Sequence, residues 1–490
     1  MSFPWFKAVR SHLDTVMPVD SLRRRFAQGA FWSIVGALIT HGLNLVSGVL
    51  RGRWLGVYSF GSFGYVTSTI AMLGVFAGMG LGLTVTKYVA EYRKQDPARA
   101  GRIVALVLRV TLISAGLISI VSALGMPYFP DKDLQQYYYE SRWGCLLLFA
   151  NVLLGVQTGV LAGLEAFRTI ALINAIQAVS NFVFGLGCMY LWGLDSKFGG
   201  LCGAVAGMGV GSLAAWAISQ HYVHREFEQR GIRLEWAGAW QELPHIWRFT
   251  LSAFVSTMLF APVPFIHNTL MLKQPGGGGN AQLGLFTATR QWHTAILMLP
   301  GMISQTTLPM LTNLWAQREY GKYRKLFWAN TGLFGGLALV MAVPIALLSP
   351  FLMKLYDSKH ATQGIDFASG WPVLVWVCVY SVLWAVNMSP GQAVWSLGMK
   401  RAANFFALLR SVILLGVYWY FLHDPNGLLK DVGYTGGGAM SLALAYTIMY
   451  VLQTLYMIPF ILISVRRKMN RAVAGQPGEN VAVVEPDGEV

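Results

Sequence analysis

Four stretches of the chain, residues 27–50, 61–83, 170–192 and 436–464, contain no Lys, Arg, Asp or Glu. Each exceeds the roughly 20 residues that cross a hydrocarbon core as a helix. In lipid, backbone polar groups must find partners within the spanning structure, so runs of this length and composition predict helices. The remaining apolar runs, read the same way, bring the number of predicted spans to twelve. They lie at about 27–49, 61–84, 103–125, 142–164, 170–192, 200–222, 249–272, 284–309, 326–350, 371–396, 402–422 and 437–464. The predicted fold class is an all-α, polytopic membrane protein.

Composition agrees: 55% of the 490 residues are apolar and 12% are charged, about half the charge density of a soluble domain. A net charge of +15 raises nucleic acid as a partner, but its distribution argues against one. With the N-terminus inside, the inner segments hold 25 of the 37 Lys and Arg and the outer segments 9. The other three, Arg109, Arg290 and Arg410, fall inside spans. This bias predicts an inner-membrane protein with both termini in the cytoplasm. The first apolar run is a full span, so no cleavable signal peptide is expected. Before it, Trp5, Phe6, Val9, Leu13 and Val16 fall at helical spacing, as in a surface-lying helix or a loose tail. The end, Gly475 to Val490, is acidic and rich in Pro and Gly and reads as disordered. Cys145, Cys188, Cys202 and Cys378 form no CxxC pair, and neither a metal nor a cofactor is expected.

The two halves of the chain repeat. At a shift of 223, Arg25-Phe26 falls on Arg248-Phe249, Gly61-Ser62-Phe63 on Gly284-Leu285-Phe286, Thr84 on Thr307 and Pro127 on Pro350. Beyond the loop near 130–140 the shift becomes 235, with Gly163 on Gly398 and Gly203-Ala204 on Gly438-Ala439. The difference of 12 is an insertion between spans 9 and 10. Six spans per repeat is an even number, so the repeats are parallel, related by a pseudo-two-fold axis along the membrane normal. The expected organisation is an N-terminal segment (1–25), a first lobe (26–222), a linker (223–247), a second lobe (248–465) and a tail (466–490). Rocking of one bundle against the other would give alternating access to a cleft between them.

The residues also resemble a known group. The first repeat carries Gln28-Gly29-Ala30-Phe31, Arg53-Trp54-Leu55-Gly56, Tyr58-Ser59-Phe60-Gly61-Ser62-Phe63, Val89-Ala90-Glu91-Tyr92 and Asp96-Pro97. The second carries Leu283-Gly284-Leu285-Phe286-Thr287-Ala288 and Thr307-Leu308-Pro309. Over about 22–465 the chain resembles the O-antigen and exopolysaccharide flippases (Wzx type) of the multidrug/oligosaccharidyl-lipid/polysaccharide (MOP) exporter superfamily. The resemblance implies two six-helix lobes in a V. It also implies an undecaprenyl-pyrophosphate-linked oligosaccharide as cargo, moved from the inner to the outer leaflet for O-antigen or exopolysaccharide biosynthesis. Membrane lipids, a glycan polymerase and a chain-length regulator are the partners it suggests. The chain departs from the pattern at Gly276-Gly277-Gly278-Gly279, which lengthens the turn between spans 7 and 8.

Ionisable groups inside spans are costly and point to function; here nearly all are basic or imidazole. In span 1, His41, Asn44, Gly48 and Arg51 share one helical face. Asn44 corresponds by the repeat to His267, which with Asn268 sits in span 7, and Arg290 and His293 share a face of span 8. Such a stripe can donate charge-assisted hydrogen bonds to a pyrophosphate and hydrogen bonds to sugar hydroxyls. Arg51, Arg53 and Arg290 are alternatively cations reaching the outer headgroups, and Arg109 one reaching the inner ones. Arg410 lies deeper in span 11 and is a candidate for the lumen. Arg290 should face span 2 across the pseudo-two-fold axis, where its counterpart Thr67 is neutral. Glu165 is either a proton carrier or a helix-end charge near Arg168. Asn387-Met388-Ser389-Pro390-Gly391-Gln392 is a candidate hinge, and Pro262, Pro264, Pro300 and Pro344 mark expected kinks. Asn174, Gln177 and Asn181 line one face of span 5, as a sugar path or as interhelical glue. Gly199, Gly203, Gly207 and Gly211 predict close packing of span 6.

Three other readings compete. A cation-coupled multidrug exporter of the same superfamily needs a buried carboxylate, which span 1 lacks. A peptidoglycan-precursor flippase also needs a cationic lumen but usually carries extra spans. A glycan polymerase needs a large outer loop with acid/base groups, and the longest outer loops, about 126–141 and 351–370, carry no such cluster. With no phosphate loop, zinc motif or nucleophile elbow, a non-enzymatic transporter is expected.

Overall fold

A computed structural model of the chain describes residues 22–125, 138–192, 199–259, 261–274, 277–357, 366–423 and 437–473. The amphipathic segment expected before Leu22 and the polar tail expected after Val473 lie outside the described residues, as does most of the loop near 130–140. Among the described residues the structure is helical throughout, without strands. The first half contains α1 (Leu22–Gly78), α2 (Leu81–Tyr92), α3 (Pro97–Gly125), α4 (Tyr138–Gly163), α5 (Phe167–Leu191) and α6 (Gly199–Gln229). The second contains α7 (Leu243–Met258), α8 (Val263–Leu272), α9 (Gly279–Ala316), α10 (Tyr320–Leu347), α11 (Ser349–Lys354), α12 (Trp371–Ser396), α13 (Lys400–His423) and α14 (Gly438–Val473).

Eleven of the described helical segments are long and apolar enough to cross a membrane. One of them, Gly36–Gly78, has 43 residues, about 65 Å of helix and twice a hydrocarbon core. Gly56 divides it: its backbone leaves the helical region with φ 72° and ψ 169°, a conformation open to glycine and closed to most other residues. Counting the two arms of α1 separately gives the twelve spans that the apolar pattern predicts. Many large apolar side chains, such as Leu117, Leu191, Val340 and Leu455, stand exposed on the helices. So much exposed apolar surface suits a hydrocarbon solvent.

The helices repeat as the sequence does. α3 begins at Pro97 and α10 at Tyr320, 223 residues later. Span 1 corresponds to α7 and α8, and span 2 to α9. The halves differ where glycine and proline differ. The second arm of α1 stops at Gly78 and resumes as α2 after Met79 (φ 45°) and Gly80 (φ 72°), so span 2 is broken near 80 rather than continuous over 61–84. A Cβ at Gly80 would lie 2.9 Å from the backbone nitrogen of Phe254 on α7. Its counterpart α9 runs unbroken through Pro300 and Pro309. Span 7 is split between Met258 and Val263, where Pro262 and Pro264 remove two helix donors. α10 and α12 are assigned as single helices that contain Pro344 and Pro390. Beside Pro390, the Asn387 amide donates to Leu383 O at 2.9 Å and Thr454 Oγ1 at 2.8 Å.

The bundles meet on the pseudo-two-fold axis. A Cβ at Gly61 would collide with the Asn280 carbonyl, and one at Gly284 with the Val57 carbonyl. Under the 223 shift these two contacts are one contact seen twice. Gly64 abuts Thr287, its own counterpart, which puts the axis between the second arm of α1 and α9. Elsewhere Thr84 Oγ1 lies 3.1 Å from Thr250 Oγ1, joining α2 to α7. Arg99 pairs with Glu242 at 3.0 Å, and Arg102 with Glu235 at 3.2 Å and Glu242 at 3.4 Å. The span 6 glycines do pack closely: Gly203, Gly207 and Gly211 bring α6 against the backbone of α5.

Candidate functional site

A cavity of about 560 Å³ opens in the second bundle, bounded by α8, α9, α12, α13 and α14 and reached by His41 of α1. Its charged and imidazole lining is Arg290, Arg410, His41 and His293, with no acid among the lining residues. A smaller cavity of about 380 Å³ adjoins it between the bundles, lined by Thr67, Ser68, Asn268, Thr287 and again Arg290. Arg290 therefore stands where the two cavities meet. Its counterpart Thr67 also lines the smaller one. The Arg290 side chain is exposed and that of Arg410 half-buried. Neither guanidinium has a hydrogen bond or ion pair among the described residues. Two unneutralised cations in a partly enclosed cavity make a site for an anion, and the planar guanidinium fork matches phosphate oxygens.

His293 is held rather than free. It is buried, its Nδ1 lies 2.8 Å from Ser381 Oγ, and its ring packs on Tyr380 and Trp384 at 5.0 and 4.9 Å. His267 is buried behind the wall: Nε2 lies 3.3 Å from Tyr446 Oη, and the ring stands edge-on to Phe286. It positions Tyr446 rather than facing the larger cavity. Asn268 donates to Ser68 Oγ at 2.9 Å across the bundle interface.

The remaining sequence candidates sit elsewhere. Asn44 is exposed on α1 and lines neither cavity. Arg51 points into the first bundle, where its guanidinium meets Ser47 Oγ at 2.6 Å, Met208 Sδ at 2.8 Å and the face of Phe63. It neither reaches the cavity nor extends to a headgroup, because the small Ser47 and the thioether leave room for it between α1 and α6. Glu165 occupies the α4–α5 turn with φ 58°, exposed and paired with Arg93 at 2.6 Å. A position at a helix end beside a basic side chain is one of the two expectations for Glu165, and Arg93 supplies such a side chain. Arg109 lies over the Trp236 ring of the linker. On α5, Gln177 donates to Asn151 and Asn181 accepts from Ser212, which is interhelical glue within the first bundle.

Aromatic residues form much of the remaining wall. Tyr380 and Trp384 on α12 and Tyr446 and Tyr450 on α14 line the larger cavity. Both pairs recur at i, i+4, which places each pair on one helical face. That spacing inside an apolar span was the available signal, but it equally fits ordinary core packing.

Comparison with known proteins follows the same lines. A family model described as polysaccharide biosynthesis protein matches residues 26–315. The EPS I polysaccharide export inner membrane protein EpsE of Ralstonia nicotianae is 23% identical over 443 residues, covering 89% of this chain and 94% of that protein. The lipid III flippase of Escherichia coli is 29% identical over 189 residues, 37% of this chain and 42% of that protein. Among solved structures, an inward-facing multidrug resistance MATE family transporter of the MOP superfamily superposes with a TM-score of 0.70 at 15% identity, covering 89% of this chain and 99% of that one. A MOP superfamily transporter from Pyrococcus furiosus, described as having a binding pocket of reversed polarity, superposes with a TM-score of 0.63 at 15% identity, covering 90% and 96%. The structural likenesses show the fold.

Proposed function

The chain belongs to the polysaccharide biosynthesis protein family and is a flippase-type transporter of the MOP superfamily, and from that premise we propose that its cargo is an undecaprenyl-pyrophosphate-linked oligosaccharide. The cargo crosses the inner membrane from the cytoplasmic to the outer leaflet, in O-antigen or exopolysaccharide biosynthesis, by alternating access between two bundles. The observation that carries this reading is the cavity without an acid in its lining, holding the guanidinium groups of Arg290 and Arg410, which are unpaired among the described residues. A pyrophosphate is a multiply charged anion that must leave water to cross. Fixed donors in a low-dielectric site replace its hydration without having to reorganise. The same cavity disfavours a cationic drug, which needs a carboxylate that the lining lacks.

The test is surface glycan in a flippase-null strain complemented with each variant and normalised to membrane protein level. Loss of one charge-assisted hydrogen bond in a desolvated site costs about 1.5–3 kcal/mol. Arg290→Ala is therefore expected to lower glycan display at least tenfold at unchanged protein level. Full complementation by Arg290→Ala would remove the guanidinium from the transport path and the reading with it.

A further inference from the structure

We propose that Trp384 and Tyr446, backed by Tyr380 and Tyr450, form a sugar-stacking subsite beside Arg290 that takes a pyranose ring of the cargo. This rests on the lipid-linked cargo reading above and adds what the glycan itself contributes to binding. The four rings form one continuous ladder between α12 and α14. Tyr380 and Tyr446 are 5.1 Å apart and 28° from parallel, Tyr446 and Tyr450 6.1 Å and 19°, and Trp384 and Tyr450 5.4 Å and 43°. Tyr380 and Tyr450 are buried, whereas Trp384 and Tyr446 are only half-buried. All four line the larger cavity, so the two half-buried rings supply its open aromatic surface.

The repeat provides an internal control for the alternative that these rings merely fill a core. At the 235 shift their counterparts are Cys145, Phe149, Gly211 and Ala215. A six-helix bundle of this kind therefore closes with one aromatic residue at these positions instead of four. The excess lines the cavity of the second bundle, as do Arg290 and Arg410, whose counterparts are Thr67 and Ala175. A pyranose has an apolar C–H face, which suits the negative face of an aromatic ring, and hydroxyls around its rim. Arg410, Ser411 and Thr294 line the same cavity and can meet those hydroxyls. A few polar groups set among aromatic walls is the usual make-up of a small-molecule site.

Binding to the purified full-length protein in nanodiscs tests the subsite separately from the cargo reading. The probes are undecaprenyl pyrophosphate and the same lipid carrying a hexopyranose disaccharide. The wild-type protein is expected to hold the glycosylated probe roughly tenfold tighter than the bare one. Trp384→Leu is expected to lose that preference while binding the bare diphosphate as before, and Trp384→Phe to keep most of it. Arg290→Ala is expected to weaken both probes. Tyr446→Leu makes the same comparison should Trp384→Leu fail to fold. Equal wild-type affinity for the two probes, an intact preference in Trp384→Leu, or loss of both probes in that variant would overturn the subsite. Failure of the wild-type protein to bind either probe would instead overturn the cargo reading.

Discussion

Three arginines on the helices of one chain reach two different surroundings, and their neighbours explain why. Arg290 faces a cavity and has no ion pair among the described residues, Arg410 shares that cavity, and Arg51 is buried against a hydroxyl, a thioether and an aromatic face. A donor fork that grips two phosphate oxygens cannot be reproduced by an ammonium. Arg290→Lys is therefore expected to restore only part of the glycan display lost in Arg290→Ala, in the same complementation assay. Arg51 contrasts with it. A buried cation without a carboxylate is weak evidence for stability, and an apolar side chain of similar length often replaces a buried charge at little cost. Arg51→Met, beside Met208 and Phe63, is expected to leave glycan display unchanged and the thermal unfolding midpoint equal or higher. A fall in display at normal protein level would return Arg51 to the transport path.

At the scale of elements, the seam between the second arm of α1 and α9 controls how close the bundles come. Gly61 and Gly284 each lie against a carbonyl of the other bundle, so no side chain larger than hydrogen fits while the seam is shut. Beside the seam, the insertion between spans 9 and 10 contributes Tyr356 and Phe367, both buried against Phe60 of α1. Tyr356 Oη also donates to Gln291 Oε1 at 3.1 Å. Gly284→Leu is expected to prop the seam open, raising labelling from outside of a cysteine placed at Thr294 and reducing transport at normal protein level. Unchanged labelling would show that the seam does not gate the cavity. The insertion was legible as a length difference between repeats. Its packing on the other bundle was not, because neither Tyr356 nor Phe367 carries a local signal of its partner.

At the scale of the whole molecule, the two bundles share an architecture but not a chemistry. Both repeats supply the same six spans. The cavity, its unpaired arginines and its aromatic ladder belong to the second bundle, with His41 reaching over from the first. The charge bias of 25 to 9 predicts that both termini lie inside, which an impermeant thiol reagent on intact cells can check. Cysteines at 132 and 359 are expected to react and those at 95 and 322 to stay protected. Labelling at 95 would reverse the topology, and with it the direction of transport.

The span count, the repeat and the polar residues buried in apolar runs were determined by the sequence itself. Each follows from a one-dimensional regularity: a run length matched to a hydrocarbon thickness, a fixed shift, or a costly residue in a cheap context. Gly56 lies in the short segment expected between spans 1 and 2, and Pro262 marks the expected break in span 7. What a side chain faces was decided by the fold alone. His41, Asn44 and Arg51 share one face of one helix, yet His41 reaches the cavity, Asn44 lines neither cavity and Arg51 enters the first bundle. A helical face spans many ångströms along the axis and meets different neighbours at each turn, so periodicity assigns a face but not a partner. The same limit hid the aromatic ladder. Tyr380 and Trp384 become a cavity wall only because α14 brings Tyr446 and Tyr450 beside them from more than sixty residues away.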